Sequence, residues 1–136
     1  MAVTLSDEAK ALLNRPVVAS LATVSRDGSP QITPVWIDVD GNDIVFNTAE
    51  GRSKAINIRR DPHVALSVFD PEDPYTKVVV VRGEVTEITN EGADDHIDAL
   101  AKKYMGVDKY PLRQPGEVRV KVRIAPRRVV MQPQGA

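Results

Sequence analysis

Residues 51–54, Gly-Arg-Ser-Lys, place two cations and a hydroxyl where the sequence predicts the start of a helix. The first turn of a helix has unpaired backbone N–H groups and the positive end of the helix dipole, so anions bind there readily. Arg52 and Lys54 add full positive charges, and Ser53 adds a hydroxyl donor. The same two cations are unfavourable for the helix itself, because they repel its positive end. Arg59 and Arg60 fall in the last turn, where cations suit a helix. Binding of a phosphate or similar anion is the chemistry this stretch offers. A solvated helix with a suboptimal start is the competing interpretation.

Other chemistries find less support. The only histidines are His63 and His96. In the segment 94–98, Asp94 and Asp98 share a helical face while His96 points elsewhere, so the three do not converge on a metal. That segment is expected to be a solvated helix face, and His63 a structural residue opening a strand. The absence of cysteine excludes disulfides, iron–sulfur clusters and thiol catalysis. No G-x-S-x-G elbow, phosphate-binding P-loop or G-x-G-x-x-G motif is present. The carboxylates at Asp70, Glu72 and Asp73 lie in a proline-punctuated loop and are expected to be solvated. No catalytic side chain and no metal ligand is therefore assigned. Pro34 cannot donate to a β ladder, so it implies an edge, a bulge or the approach of a flat ligand. Trp36, the only tryptophan, suits a core or interface more often than a stacking platform.

The elements that position these residues follow from length and pattern. A chain of 136 residues suits one domain, residues 1–136. Its 18 basic and 19 acidic residues leave a formal charge of −1, which argues against a nucleic-acid binder. No apolar run approaches the ~20 residues of a membrane span. The first fifteen residues lack the pattern of a signal peptide, and a cytoplasmic location is expected. Ser6 is expected to cap a short helix. Three strands should follow, from 16–24, 31–39 and 43–48, separated by turns at Asp27-Gly28 and Asp40-Gly41. The helix over 51–60 stops before Pro62. Further strands are expected over 63–69 and 76–89, the second with four consecutive valines that suggest burial on both faces. Gly83 should mark a bulge. Asn90 is expected to cap a helix over 91–105, ended by Gly106. In the last strand Val118, Val120, Val122 and Ile124 alternate with Glu117, Arg119, Lys121 and Arg123, predicting one buried and one wet face. Six strands with three short helices fit a mainly β, antiparallel barrel.

The ordered segments 18–41, 44–68, 79–89 and 122–129 resemble the flavin- and deazaflavin-binding split β-barrel superfamily related to pyridoxamine 5′-phosphate oxidase. Within it the chain is most similar to oxidoreductases that use the deazaflavin coenzyme F-420. The resemblance spans Leu5 to Met131. It implies a six-stranded split barrel that forms a homodimer, with cofactor sites at the interface. It places Arg52, Ser53 and Lys54 on the cofactor phosphate, and Asn47 and Thr48 near the ring or ribityl chain. Thr33, Pro34, Val35 and Trp36 would wall the tricyclic ring. Arg59 and Arg60 would meet the acidic tail of F-420, and Tyr75 and Tyr110 would line the site. The arginine–histidine substrate set of the pyridoxamine-phosphate oxidases is not found. The implied activity is hydride transfer to an electron-poor conjugated small molecule, such as an enone or quinone. An FMN-dependent oxidase or flavin reductase, and a non-catalytic cofactor carrier, stand as alternatives.

Overall fold

The computed structural model describes residues 3–131. In chain order the elements are α1 (Asp7–Leu13), β1 (Ala19–Val24), β2 (Pro30–Val35), β3 (Ile37–Asp40), β4 (Asp43–Ala49), α2 (Ser53–Arg60), β5 (His63–Phe69), β6 (Val78–Thr89), α3 (Ala93–Met105) and β7 (Arg119–Met131). The strands form one antiparallel sheet in the order β2-β1-β5-β6-β7-β4-β3. Its two edges, β2 and β3, are separated in the chain by Trp36 alone. A sheet whose opposite edges are joined by one residue must curl until those edges meet. The result is a split barrel.

This explains the one difference in strand number. The run 31–39 was expected as a single strand, but it breaks at Trp36, where the chain leaves β1 for β4. Pro34 sits on the edge strand β2, where its missing N–H leaves no ladder bond unmade.

Alternation fills the barrel. Leu21, Leu66, Val68, Val79, Val81, Val122, Ile124 and Phe46 are all 2% exposed or less. The four valines of β6 are not buried on both faces: Val79 and Val81 point inward, while Val78 and Val80 are half-exposed outside. Gly83 lies at a register shift between β6 and β7. A Cβ there would meet Ile124 Cγ2 at 2.5 Å and the Ala125 carbonyl oxygen at 2.9 Å, so only glycine fits without displacing backbone.

Ser6 caps α1, its Oγ accepting the Ala9 N–H at 3.1 Å. The start of α3 differs from expectation. Gly92, in the left-handed region at φ 73°, is the N-cap, and Asn90 instead donates its Nδ2 to the Arg119 carbonyl at 2.8 Å. Gly106 ends α3 as expected, also left-handed, with its N–H on the Lys102 carbonyl. No helix among the described residues is long and apolar enough to cross a membrane.

Candidate functional site

β4 hands the chain to α2 through Glu50 and Gly51, and Gly51 reverses direction at φ 88°. Arg52 is the N-cap of α2, with no side-chain cap bond and no acid in the first turn. The unpaired N–H groups of this helix start therefore gain nothing from the helix's own side chains.

A cavity of about 340 Å³ lies against this helix start. Pro34, Val35 and Trp36 form one wall, Asn47 and Thr48 of β4 the floor, and Arg52, Lys54 and Arg119 a cationic end. Ile97 and Leu100 of α3, with Tyr110 and Leu112 from the following loop, supply apolar cover.

The cationic end is poor in counter-charge. Glu117 accepts from Arg119 Nη1 at 2.8 Å and from Arg52 Nη2 at 3.2 Å. Lys54 has no carboxylate within ion-pair distance among the described residues. Burial, then the repulsion of Arg52 and Arg119, holds its ammonium below the ordinary lysine range. Three cations face one carboxylate, which is an electrostatic demand for an anion. Beside them the Thr48 hydroxyl is buried with no hydrogen-bond partner. Leaving such a group unpaired costs about 1–3 kcal/mol.

The Trp36 wall is clamped. Its ring stacks on Tyr104 at a centroid distance of 5.2 Å and 9° between planes, and meets the edge of Tyr110 at 5.9 Å and 85°. Tyr104 is fixed in turn, donating to the Val17 carbonyl at 2.8 Å and accepting the Ile37 N–H at 3.1 Å. Burial raises the pKa of this phenol, which keeps the donor proton in place. A rigid aromatic wall facing cations suits a flat ligand bearing an anionic group.

Of the residues expected at a site, Pro34, Val35, Trp36, Asn47, Thr48, Arg52 and Lys54 come together on this cavity. Others do not reach it. Thr33 lies on β2 opposite Leu21, its hydroxyl buried without a partner. Ser53 is the exposed first residue of α2. Arg59 pairs with Glu50 at 2.8 Å, and Arg60 donates to the Val24 carbonyl. Tyr110 lines the cavity, whereas Tyr75 is 88% exposed on the loop after β5.

Lining and supporting residues that the sequence pattern misplaced include Arg119 and His96. Arg119 was expected on a wet face but is 3% exposed, because α3 and the loop after it cover the start of β7. His96 was expected on a solvated helix face, yet its side chain is only 9% exposed and bridges Asp38 and Asn47. The acids flanking it also have structural work. Arg113 pairs with Asp94 at 2.9 Å and lies 3.6 Å from Asp98, and Asp98 accepts the Tyr110 N–H at 2.9 Å. They tether the loop that carries Tyr110 and Leu112 over the cavity.

The molecule is thus a split barrel with a cation-rich cleft beside an aromatic wall. The chain belongs to the pyridoxamine 5′-phosphate oxidase family, whose model matches residues 5–132. A pyridoxine/pyridoxamine 5′-phosphate oxidase of Haemophilus ducreyi is 32% identical over 93 residues, covering 68% of this chain and 43% of that protein. Its counterpart in Legionella pneumophila (strain Paris) is 29% identical over 91 residues, covering 66% and 41%. The match therefore spans about two-fifths of the length of these curated relatives. Among solved structures, an F-420 reductase superposes with a TM-score of 0.82 at 32% identity, over 94% of this chain and 100% of that one. A conserved hypothetical protein of Mycobacterium tuberculosis superposes with a TM-score of 0.72 at 29% identity, over 94% and 84%.

Proposed function

We propose that this protein is a cytoplasmic, homodimeric reductase that uses coenzyme F-420 to reduce an electron-poor conjugated small molecule such as an enone or quinone. The observation that carries the proposal is the half-buried, unpaired Lys54 between Arg52 and Arg119, on the cavity floored by Asn47 and Thr48. These residues fit a phosphate and an adjoining polar chain. The likeness to an F-420 reductase along that chain's whole length supports the deazaflavin over FMN.

Arg52, Lys54 and the N–H groups of α2 would hold the phosphate. Asn47 and Thr48 would lie near the ribityl chain or ring, and Trp36, Pro34 and Val35 would support the ring face. When bound, reduced F-420 supplies a hydride donor. The protein's own part is placement and exclusion of water. Ile97, Leu100 and Leu112 keep the cavity apolar where an acceptor would lie, and Tyr104 and Tyr110 hold the Trp36 wall at a fixed angle. Hydride transfer needs no nucleophile or metal from the chain. Arg59 and Arg60 already have protein partners, so the cavity itself does not use them. A cofactor that must be re-reduced after each turnover suits the cytoplasm, where reductants are made.

The dimer is supported by the outer face of β2, β1, β5 and β6. Cross-strand register puts Ile32, Pro34, Ala22, Ala65, Val78 and Val80 on it, and Ile32 is 67% exposed. Ser20, Ser67 and Arg82 share that face, and its small and apolar groups support an interface. Pro34 belongs both to that face and to the cavity, so a second copy would cover the open side.

Titration with F-420 and with FMN, followed by fluorescence and anisotropy, tests the cofactor. Tight F-420 binding, with hydride transfer to a conjugated acceptor, is the expected result. FMN binding without F-420 binding would turn the assignment to a flavin enzyme. F-420 binding without turnover over a broad acceptor panel would make the protein a carrier. Sedimentation of the wild type against Ile32→Glu tests the dimer; a monomeric wild type rejects it.

A further inference from the structure

A buried polar chain runs behind the cavity. Asn47 is 8% exposed and stands at its centre. Arg119 Nε–H donates to Asn47 Oδ1 at 2.8 Å. Asn47 Nδ2 donates to the Ala93 carbonyl at 2.9 Å and lies 3.1 Å from His96 Nδ1. Arginine can only donate and a carbonyl can only accept, so the amide has one orientation. The second hydrogen of Nδ2 then points at His96 Nδ1, which must accept it. The imidazole proton is therefore on Nε2, 3.2 Å from Asp38 Oδ1.

The far end of this chain is equally fixed. Glu117 takes Arg119 Nη1 at 2.8 Å, Asn90 holds the Arg119 backbone carbonyl, and the guanidinium carbon lies 5.2 Å from the centre of the Tyr110 ring. Arg119 Nη2 has no protein acceptor among the described residues, and the residue lines the cavity.

We propose that His96 is a positioning residue that acts through Asn47 on Arg119. With Asp38 it fixes the guanidinium so that its remaining N–H edge meets an anionic or carbonyl oxygen of the cavity's ligand. The proposal rests on the assignment of this cavity to a phosphate-bearing ring cofactor. A donor held still in a desolvated wall binds better than one that must first be ordered.

Two measurements test it. The first needs no ligand. Proton–nitrogen NMR should show His96 as the Nε2–H tautomer and the Arg119 Nε–H in slow exchange with solvent. In His96→Phe that exchange should quicken by about tenfold or more, while backbone amides of β4 and β7 keep their protection. An Nδ1–H tautomer, or unchanged exchange in the variant, would overturn the proposal. Asp38→Ala, at a side chain 35% exposed, applies the same test where His96→Phe does not fold.

The second measurement is a double-mutant cycle read by F-420 titration. His96→Phe should weaken binding about tenfold, and His96→Gln, which keeps a donor and an acceptor, should restore most of it. In an Arg119→Met background His96→Phe should cost nothing more. Equal losses in both backgrounds would overturn the proposal. If the wild type binds neither F-420 nor FMN, the proposed function falls, and the exchange measurement still decides the role of His96.

Discussion

The starts of α1 and α2 solve the same problem in opposite ways. α1 begins with the Ser6 hydroxyl on the Ala9 N–H and with Asp7 and Glu8 in its first turn. Cap and acids satisfy the orphan N–H groups and the dipole. α2 begins at Arg52, with no side-chain cap and no acid, and places Lys54 in the same first turn. The other end of α2 is conventional, with Arg59 and Arg60 in the last turn. One chain therefore contains a helix start arranged for folding and another that its own side chains leave open. The contrast shows that the open start is local, because the same sequence caps a helix properly elsewhere.

The largest effect that could break this contrast is on binding. Arg52→Ala and Lys54→Ala should each weaken F-420 binding by about 1.5–3 kcal/mol, the value of charge-assisted hydrogen bonds, with little change in thermal stability. Unchanged affinity in the double variant by anisotropy would remove α2 from the site. Next in size, Ser6→Ala should lower stability by about 1 kcal/mol in urea melts and leave cofactor affinity alone. A loss of affinity there would mean that the two helix starts are not independent.

The smallest effect is a pH slope. Lys54 titrates below its unfolded value of 10.5 because of burial and neighbouring cations. Between the folded value and 10.5 the unfolded chain binds more protons, so the ligand-free protein should gain stability as pH rises through that window. Cofactor affinity should fall over the same window, as Lys54 loses its charge. Denaturant melts and titrations of wild type against Lys54→Met, whose curves should lack both slopes, measure the difference.

Much of this was legible from residue types. Turn glycines, alternating valines and the misplaced cations of α2 all act locally, and local features survive in sequence. Trp36 illustrates where legibility stops. Pro34 flags an edge or a bulge, but nothing between Gln31 and Val39 says that the strand changes partners at Trp36, because that change is set by closure of the whole sheet. Arg119 and His96 illustrate it differently. Both occupy positions that periodicity makes wet, and both are buried because α3 packs on β4 and β7. Which outer surface a helix covers is a tertiary fact. The resemblance to a known family supplied the phosphate and ring for the cavity, but neither of these two residues.

The most direct test of the contrast is a pair of melting curves for the wild type and Lys54→Glu, each with and without F-420. Without cofactor, the acid in the first turn should stabilise α2 by about 0.3–1 kcal/mol and raise the melting temperature by about 1–4 °C. With cofactor the order should reverse, because only the wild type gains from the ligand. A wild type that melts higher without cofactor, or equal gains in both proteins on adding it, would contradict the claim that α2 is left open to hold an anion.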